Sequence, residues 1–188
     1  MKLNEKVFLL YKLFNSSFTG LSIGILFTIY QPIEDPSLYS IGGMILAIGM
    51  LIIAKFYDQL LNIKRFFQIS LFVEAIILIT ILIFLIIKSS LTAALLIYCG
   101  YQTTFIFGGY LVRAETLVAN KKELLSKIDV NKQLGYLFGL ASSYTFYKIL
   151  EIGMDITEAL VQIKILHYLL LILQMLIITL LIKSFKKS

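Results

Sequence analysis

Long apolar runs alternate with short charged or polar interruptions along the whole chain, and this pattern predicts membrane-spanning helices. A helix needs about 20 mostly apolar residues to cross the hydrocarbon layer of a bilayer, which is about 30 Å thick. Six segments satisfy this requirement, at residues 7–30, 38–56, 66–87, 91–112, 133–151 and 161–182. The sequence therefore predicts an all-α membrane protein, built as a single six-helix transmembrane domain over residues 1–188.

The overall composition agrees with this interpretation. The chain is 59% hydrophobic and 15% charged, with a mean hydropathy of +0.90. Soluble domains are about 45–50% apolar and about 25% charged. A soluble core of this size could not enclose so much apolar surface, so lipid is the expected environment of most side chains.

The scarcity of cysteine and histidine limits the chemistry. Cys99 is the single cysteine, which excludes an internal disulfide, and His167 is the single histidine. These two residues cannot build a zinc or haem site within one chain. We also find no clustered acids, no histidine pair and no activated nucleophile, so we expect neither a metal, nor another cofactor, nor enzymatic activity.

The basic residues fix the predicted orientation. With the N-terminus in the cytoplasm, 14 of the 17 lysines and arginines lie on the inner side, at the ends of the predicted helices. The outer side instead collects acids at positions 34, 35, 151, 155 and 158. Positive loops stay in the cytoplasm, so both termini are predicted to be cytoplasmic, in a membrane such as the bacterial inner membrane. The net charge of +6 is explained by this placement, and no nucleic-acid partner is expected.

Two inner connections and one outer turn stand out between the apolar runs. The first connection places Asp58 six residues ahead of the Lys64–Arg65 pair. The second covers residues 113–132, where leucines alternate with lysines and acids, as in an amphipathic helix at the headgroup level or a solvated linker. A tight outer turn is predicted at residues 88–90.

The hairpin around Asp58 resembles the loop between the second and third helices of major facilitator superfamily transporters. In that family the loop carries a motif of the type Gly-x-x-x-Asp-Arg-x-Gly-Arg-Arg. In this chain, Ala54 stands at the position of the first glycine, Asp58 matches the acid, and Lys64–Arg65 match the basic end.

A second resemblance to the same family lies further along the chain. Family members often carry an arginine near the inner end of the fourth helix, matched by Arg113. Their fifth helix begins with a basic residue and Gly-x-x-x-Gly, matched by Lys132, Gly135 and Gly139.

The resemblance implies a fold and a mode of action. Transporters of this family have twelve helices, in two six-helix halves related by an axis along the membrane normal. Six helices with both ends inside therefore correspond to the N-terminal half, and a parallel homodimer would complete the architecture. A heterodimer with a second half-unit is the alternative. By the same resemblance, Asp58, Lys64, Arg65 and Arg113 are candidates for a cytoplasmic gate.

Polar side chains within the spans are the candidate functional residues, because such groups are costly in lipid. Helical spacing and depth select a solute-binding set on the first, fourth and fifth helices: Asn15, Thr19, Ser22, Tyr98, Tyr101, Gln102, Tyr144, Tyr147 and Lys148. Tyrosine and glutamine suit a small polar organic solute, and Lys148 suggests a negative group on it. Hydrogen bonds between neighbouring helices are the alternative role.

Glu74 is the one acid deep in a predicted span, which makes it a candidate for proton coupling. A structural pairing or a dimer contact is the alternative. The sequence favours a secondary transporter that moves a small polar or anionic organic solute by alternating access. The alternatives are a six-helix substrate-capture subunit of a vitamin-type, ATP-driven uptake system and an accessory membrane protein without a solute.

Overall fold

The computed structural model describes residues 2–87 and 90–186, almost all of them in helices. The helices are α1 (Glu5–Ser22), α2 (Ile25–Ile29), α3 (Pro36–Lys55), α4 (Tyr57–Leu60), α5 (Ile63–Ile86), α6 (Leu91–Ile106), α7 (Gly108–Ala119), α8 (Lys122–Lys148) and α9 (Ala159–Ser184). A π-helical turn, Ile149–Gly153, continues α8. Two short strands, β1 (Lys2–Leu3) and β2 (Phe185–Lys186), lie at the ends. The predicted turn at residues 88–90 begins outside the described part of the chain.

Several helices begin at a capping side chain that the sequence supplies. The Asp35 carboxylate accepts from Ser37 N at 2.8 Å, and Pro36 occupies the first turn of α3. Asn62 accepts from Arg65 N at 2.9 Å and starts α5, while Ser90 caps α6 in the same way. These caps satisfy N–H groups that have no partner within the helix, so these three interruptions in the apolar pattern also set helix boundaries.

Within the described residues, four helical segments are long and apolar enough to cross a membrane: Pro36–Lys55, Ile63–Ile86, Leu91–Ala119 and Ala159–Ser184. They correspond to the second, third, fourth and sixth predicted spans. The chain thus has the helical content and apolar segments typical of an integral membrane protein. The first and fifth predicted spans correspond to α1–α2 and α8, which are helical but carry more polar residues.

The principal packing contacts connect the helical segments in a defined order. The first segment (α1–α2) packs on the fifth (α8) and the sixth (α9). The sixth packs on the third (α5), the third on the fourth (α6–α7), and the fourth on the second (α3). This set of contacts is symmetric. If segments 1, 2 and 3 are relabelled 4, 5 and 6, and segments 4, 5 and 6 are relabelled 1, 2 and 3, the same pairs of neighbours result.

The two ends of the described chain lie together. Strands β1 and β2 pair antiparallel, with Lys2 opposite Lys186, and Asn4 N donates to Ser184 O at 2.8 Å. The Phe185 ring packs against Phe8 and Phe66 at centroid distances of 5.9 and 6.0 Å. Both ends are therefore held on the same side of the bundle, as the even number of predicted spans requires.

The connection predicted at residues 113–132 differs from expectation, because it contains no separate interfacial helix. Helix α7 continues to Ala119, and α8 begins at Lys122. The chain turns at Asn120, whose backbone φ of 48° is in the left-handed region that asparagine tolerates. No proline or glycine interrupts residues 122–133, so the amphipathic stretch simply becomes the first turns of α8.

Candidate functional site

A hydrogen-bonded network surrounds the carboxylate of Glu74, which is 2% exposed in the middle of α5. Its Oε1 accepts from the Tyr11 hydroxyl and from the Asn15 amide of α1, each at 2.8 Å. Its Oε2 accepts from Gln174 Nε2 of α9 at 2.8 Å, and the same nitrogen donates to the Glu74 backbone carbonyl at 2.9 Å. One carboxylate thus joins three helices.

The positions of these residues along their helices place the network well away from the end of the bundle that carries the termini. Glu74 lies 11 residues after the start of α5, and Gln174 lies 10 residues before the end of α9. At 1.5 Å per residue, both are about 15 Å from the end of the bundle that carries the termini. This is about half of the hydrocarbon thickness.

A buried ion cluster lies nearer to the termini. The Glu115 carboxylate of α7, 5% exposed, pairs with the Lys12 ammonium of α1 through Oε2. Its Oε1 accepts from Lys132 Nζ of α8 at 3.1 Å. The Lys12 ammonium also lies over the Phe8, Tyr11 and Phe66 rings, 5.3–5.9 Å from their centroids. Aromatic faces stabilise such a buried cation.

The exposed surface of α8 also carries ion pairs of an ordinary kind. Lys127 pairs with Glu123 four residues earlier on α8, and both side chains are mostly exposed. The neighbouring ammonium holds the pKa of the Glu123 carboxyl below its usual range. Surface pairs like this one contribute little to stability, which distinguishes them from the buried cluster at Glu115.

Two of the predicted solute-binding residues line a groove of about 260 Å³ between α3 and α6. The Tyr98 ring packs edge-on against Tyr30 and Tyr39 and lies directly against Gly42, where an added Cβ would meet it at 2.1 Å. Gln102 lines the same groove, and its Oε1 is buried without a hydrogen-bond partner in the described chain. The partly buried Tyr101 is adjacent and packs against Phe105.

The remaining predicted solute-binding residues lie apart from this groove. On α8, Tyr144 is 68% exposed, Tyr147 packs against Phe146, and Lys148 forms an ion pair with Glu151 at 2.7 Å. On α1, the Thr19 and Ser22 hydroxyls donate to backbone carbonyls of their own helix. Within the described residues, no side-chain hydrogen bond joins Asn15, the α3–α6 groove and the α8 residues into one pocket.

The predicted gating residues are all exposed in this structure: Asp58, Lys64, Arg65 and Arg113. Asp58 lies in the short helix α4 and forms no ion pair with any described residue, while Arg65 donates to Gln68. The contact that joins this hairpin to α7 comes from Tyr110, which is 1% exposed and donates its hydroxyl to Leu60 O at 2.9 Å. Asp58 and Arg113 stay predicted gate residues without a contact to each other here.

Sequence reasoning identified Asn15 and Glu74 but missed most of their surroundings. It used Lys12 as an orientation signal, used Lys132 for orientation and for the resemblance of the fifth helix, and gave Tyr11 and Glu115 no role. Lys12 is the residue from which the sequence could have predicted the buried ion cluster, because a lysine inside a helical apolar segment requires a nearby acid. Which acid it finds depends on how α1 and α7 are rotated, and the sequence does not give that rotation.

The buried Glu74, Lys12 and Glu115 and the partly exposed Lys132 form an array of four charged side chains, which extends from the middle of α5 towards the end of the bundle that carries the termini. Such an array can hold, accept or release a proton and can tie helices together through charge. No family model, curated protein or solved structure matches the chain.

Proposed function

We propose that the chain is a six-helix unit of a secondary transporter of the major facilitator type, in which Glu74 carries the coupling proton. The single observation behind this proposal is the Glu74 network at mid-depth. Ionisable groups within a membrane are rare, and they mark ion and solute pathways. A protein that only filled space in the bilayer would gain nothing from a carboxylate there.

The donors around Glu74 suit a group that changes protonation state. Tyr11, Asn15 and Gln174 all donate to it, and an ionised carboxylate accepts without donating. A protonated Glu74 would accept fully through one oxygen and donate through the other, so a donor on the protonated oxygen would lose its acceptor. Protonation on Oε1 would therefore weaken the contact of α5 with α1, and protonation on Oε2 the contact with α9. Either change favours the helix rearrangement that alternating access needs.

The order of helix packing supports the family assignment. Within each half of a major facilitator transporter, two three-helix units form an inverted repeat. The principal neighbours of the six segments are unchanged when the first three exchange with the last three, as such a repeat requires. Asn15 reaches Glu74 in the middle of α5, so α1 lies alongside an apolar helix and we assign both α1 and α8 as further spans.

The proposed six-helix architecture also suggests where the solute binds and which part of the binding site a second copy of the chain supplies. We propose that Asn15, Thr19, Tyr98 and Gln102 face a small polar organic solute and that a second copy, related by a two-fold axis, supplies the opposite wall. The bacterial cytoplasmic membrane, with the paired ends inside, is the proposed location. The Lys148 charge is paired with Glu151, so a negative group on the solute depends on that pair opening.

Transport in proteoliposomes tests the function. Purified protein would be exposed to a pool of labelled small polar solutes, with a proton gradient of either sign. We expect accumulation of at least one solute that follows the gradient, and Glu74→Gln should abolish accumulation while leaving solute exchange at equal pH. Glu123→Gln, which removes an exposed acid, is the control. Accumulation by Glu74→Gln at the wild-type level would refute proton coupling through this residue.

The oligomeric state tests the second-copy proposal. Photobleaching counts of labelled protein in native-lipid nanodiscs should give two copies per disc at dilutions where random pairing is negligible. A single copy that co-purifies with an ATP-binding subunit would instead indicate the capture-subunit alternative.

A further inference from the structure

The terminal clasp, formed by the pairing of β1 with β2, holds two lysines on one outward face. Directly opposite residues of an antiparallel pair share a face, and successive residues alternate between faces. Leu3 lies opposite Phe185, and both side chains pack against the hydrophobic core of the bundle. Lys2 lies opposite Lys186, and both of these residues are exposed. The two ammonium groups therefore share the face of the clasp that points away from the core.

This arrangement is unfavourable for the clasp by itself, because like charges directly opposite each other destabilise a strand pair. Neither Lys2 nor Lys186 forms an ion pair within residues 2–87 and 90–186. Glu5, the acid nearest to Lys2 in sequence, lies instead 3.5 Å from Lys121. The described part of the chain thus brings two positive charges together without supplying an acid to balance them.

A phosphate group has the charge and the geometry that this lysine pair requires. The Cβ atoms of directly opposite residues are about 4.5–5.5 Å apart, so two long side chains can reach one shared acceptor. Each ammonium can donate to a separate phosphate oxygen at about 2.7–2.9 Å. A negative charge between the two lysines replaces their repulsion with two attractions.

The clasp lies where phospholipid headgroups are found. Helix α1 begins at Glu5 and α9 ends at Ser184, so the clasp extends only a few residues beyond these helix ends. Helix α9 is long and apolar enough to cross a membrane. The end of such a helix lies at the boundary between the hydrocarbon and the headgroups.

Further basic residues surround the clasp and attract anions to it. Lys6 of α1, Lys183 of α9 and the Lys64–Arg65 pair of α5 are all exposed. Rings from the first turns of α1 and α5 contact Phe185, so these helix ends meet beside the clasp. Clusters of about four to eight lysines and arginines next to a membrane helix are typical of proteins that bind anionic lipids.

We propose that the terminal clasp binds the phosphate of an anionic phospholipid between Lys2 and Lys186. The bound lipid holds β1 against β2 and thereby keeps the ends of α1 and α9 together. In a bilayer without net charge the two lysines repel each other, and the clasp opens more often. The site requires no transported solute, so it goes beyond the proposed function and is tested separately from it.

Hydrogen exchange of the Asn4 amide measures how often the clasp opens, because this N–H donates to Ser184 O at 2.8 Å. The protein is placed in nanodiscs of phosphatidylcholine alone or of equal parts phosphatidylcholine and phosphatidylglycerol. Each exchange rate is divided by that of an unstructured peptide of the same sequence. Phosphatidylglycerol should slow exchange by about fivefold, the effect of one lysine held at an anionic surface.

Lys2→Gln should change exchange in opposite directions in the two bilayers. In phosphatidylcholine it removes the repulsion from Lys186, so exchange should slow by about twofold. In the phosphatidylglycerol mixture it removes half of the phosphate site, so exchange should be faster than in the wild type. Lys186→Gln should give the same reversal from the other strand. The matched control is Lys6→Gln, which removes an exposed lysine of the same end that lies outside the strand pair.

The reversal of sign separates a phosphate site from an ordinary surface charge. Wild-type exchange that is the same in both bilayers would overturn the proposal, and so would an effect of Lys2→Gln that has one sign in both. An equal reversal by Lys6→Gln would show a diffuse attraction in place of a site at the lysine pair. If inorganic phosphate slowed exchange as much in phosphatidylcholine alone, the assignment to a lipid headgroup would be wrong.

Discussion

The Glu74 carboxylate shows how a costly residue becomes tolerable in a bundle of apolar helices. Two of its hydrogen bonds come from α1 and the third from the Gln174 amide of α9, which also donates to the Glu74 backbone carbonyl. Each donor is itself polar and mostly enclosed, so the group replaces its water shell with fixed protein donors. Every member then depends on the others, because removing one leaves a buried partner unsatisfied.

Gln174→Leu should therefore destabilise the fold by about 1–3 kcal/mol, the usual cost of leaving buried polar groups without a partner. Gln174 is fully buried and supplies both hydrogen bonds between α9 and Glu74. Denaturant unfolding in bicelles, followed by circular dichroism, measures the change. The control is Thr179→Val on the same helix, whose hydroxyl donates only to Met175 O of that helix. If both variants lose the same free energy of unfolding, the hydrogen bonds from Gln174 to Glu74 do not contribute more than an ordinary hydroxyl contact.

At the scale of single residues, the sequence predicted which polar side chains lie deep in the helices better than it predicted their hydrogen-bond partners. The sequence identified Asn15 and Glu74 as polar residues within the predicted spans, and the structure joins them to each other and to Gln174. The contacts span 59 and 100 residues of chain, and they depend on the rotation of three helices. Apolar periodicity fixes that rotation poorly when lipid and protein interior are equally apolar.

Helix packing depends on a few backbone contacts without side chains between them. An added Cβ at Gly135 would lie 2.1 Å from Leu13 O, and one at Gly139 would lie 2.2 Å from Ser17 O. On the facing surface of α1, a Cβ at Gly20 would lie 2.4 Å from Tyr136 O. These small residues let α1 and α8 pack backbone to backbone, as is common between membrane helices.

Gly135→Ala should destabilise the protein by about 1–3 kcal/mol, since backbone atoms must move apart to admit the methyl group. Gly43→Ala is the matched control, because a Cβ there meets nothing within 4 Å. Alanine also favours a helix more than glycine does, so the control should be neutral or slightly stabilising. Unfolding midpoints of the two variants in the same detergent provide the comparison, and similar midpoints would contradict close packing at Gly135.

Element boundaries were predicted well where the sequence supplies a cap and poorly where it does not. Asp35–Pro36 and Asn62 mark the starts of α3 and α5 within three residues of the predicted spans. The start of α8 has no side-chain cap, and neither does the start of α7 after the break that follows α6. The sequence predicted neither boundary. The break between α1 and α2 near Gly24 was missed for the same reason.

At the scale of the whole molecule, the bundle is closed at one end by its own termini. Phe185 extends from β2 into a cluster with Phe8, Phe66 and Phe67, where it is 7% exposed. The sequence predicted that both ends lie on one side, from the distribution of lysines and arginines over six spans. It gave no indication that residues 2–3 and 185–186 pair, because a two-residue strand carries no periodicity.

Phe185→Ala should destabilise the fold by about 3–5 kcal/mol, as for other large buried aromatic residues. Phe27→Ala is the control, because that ring is 84% exposed on α2. Hydrogen exchange of the α1 and α9 amides provides the readout. Loss of the cluster should speed exchange at the ends of both helices together. Faster exchange in α9 alone would contradict a shared closure.

The pairing of β1 with β2 also fixes how the molecule responds to mechanical load. Lys2 lies opposite Lys186 and Leu3 opposite Phe185, so a pull on the two ends opens the pairs one after another, as in a zipper. Sequential rupture needs little force, because the hydrogen bonds do not share the load. The first sharp resistance then comes from the Phe185 ring as it leaves its cluster, before α1 and α9 begin to be drawn out of the bundle.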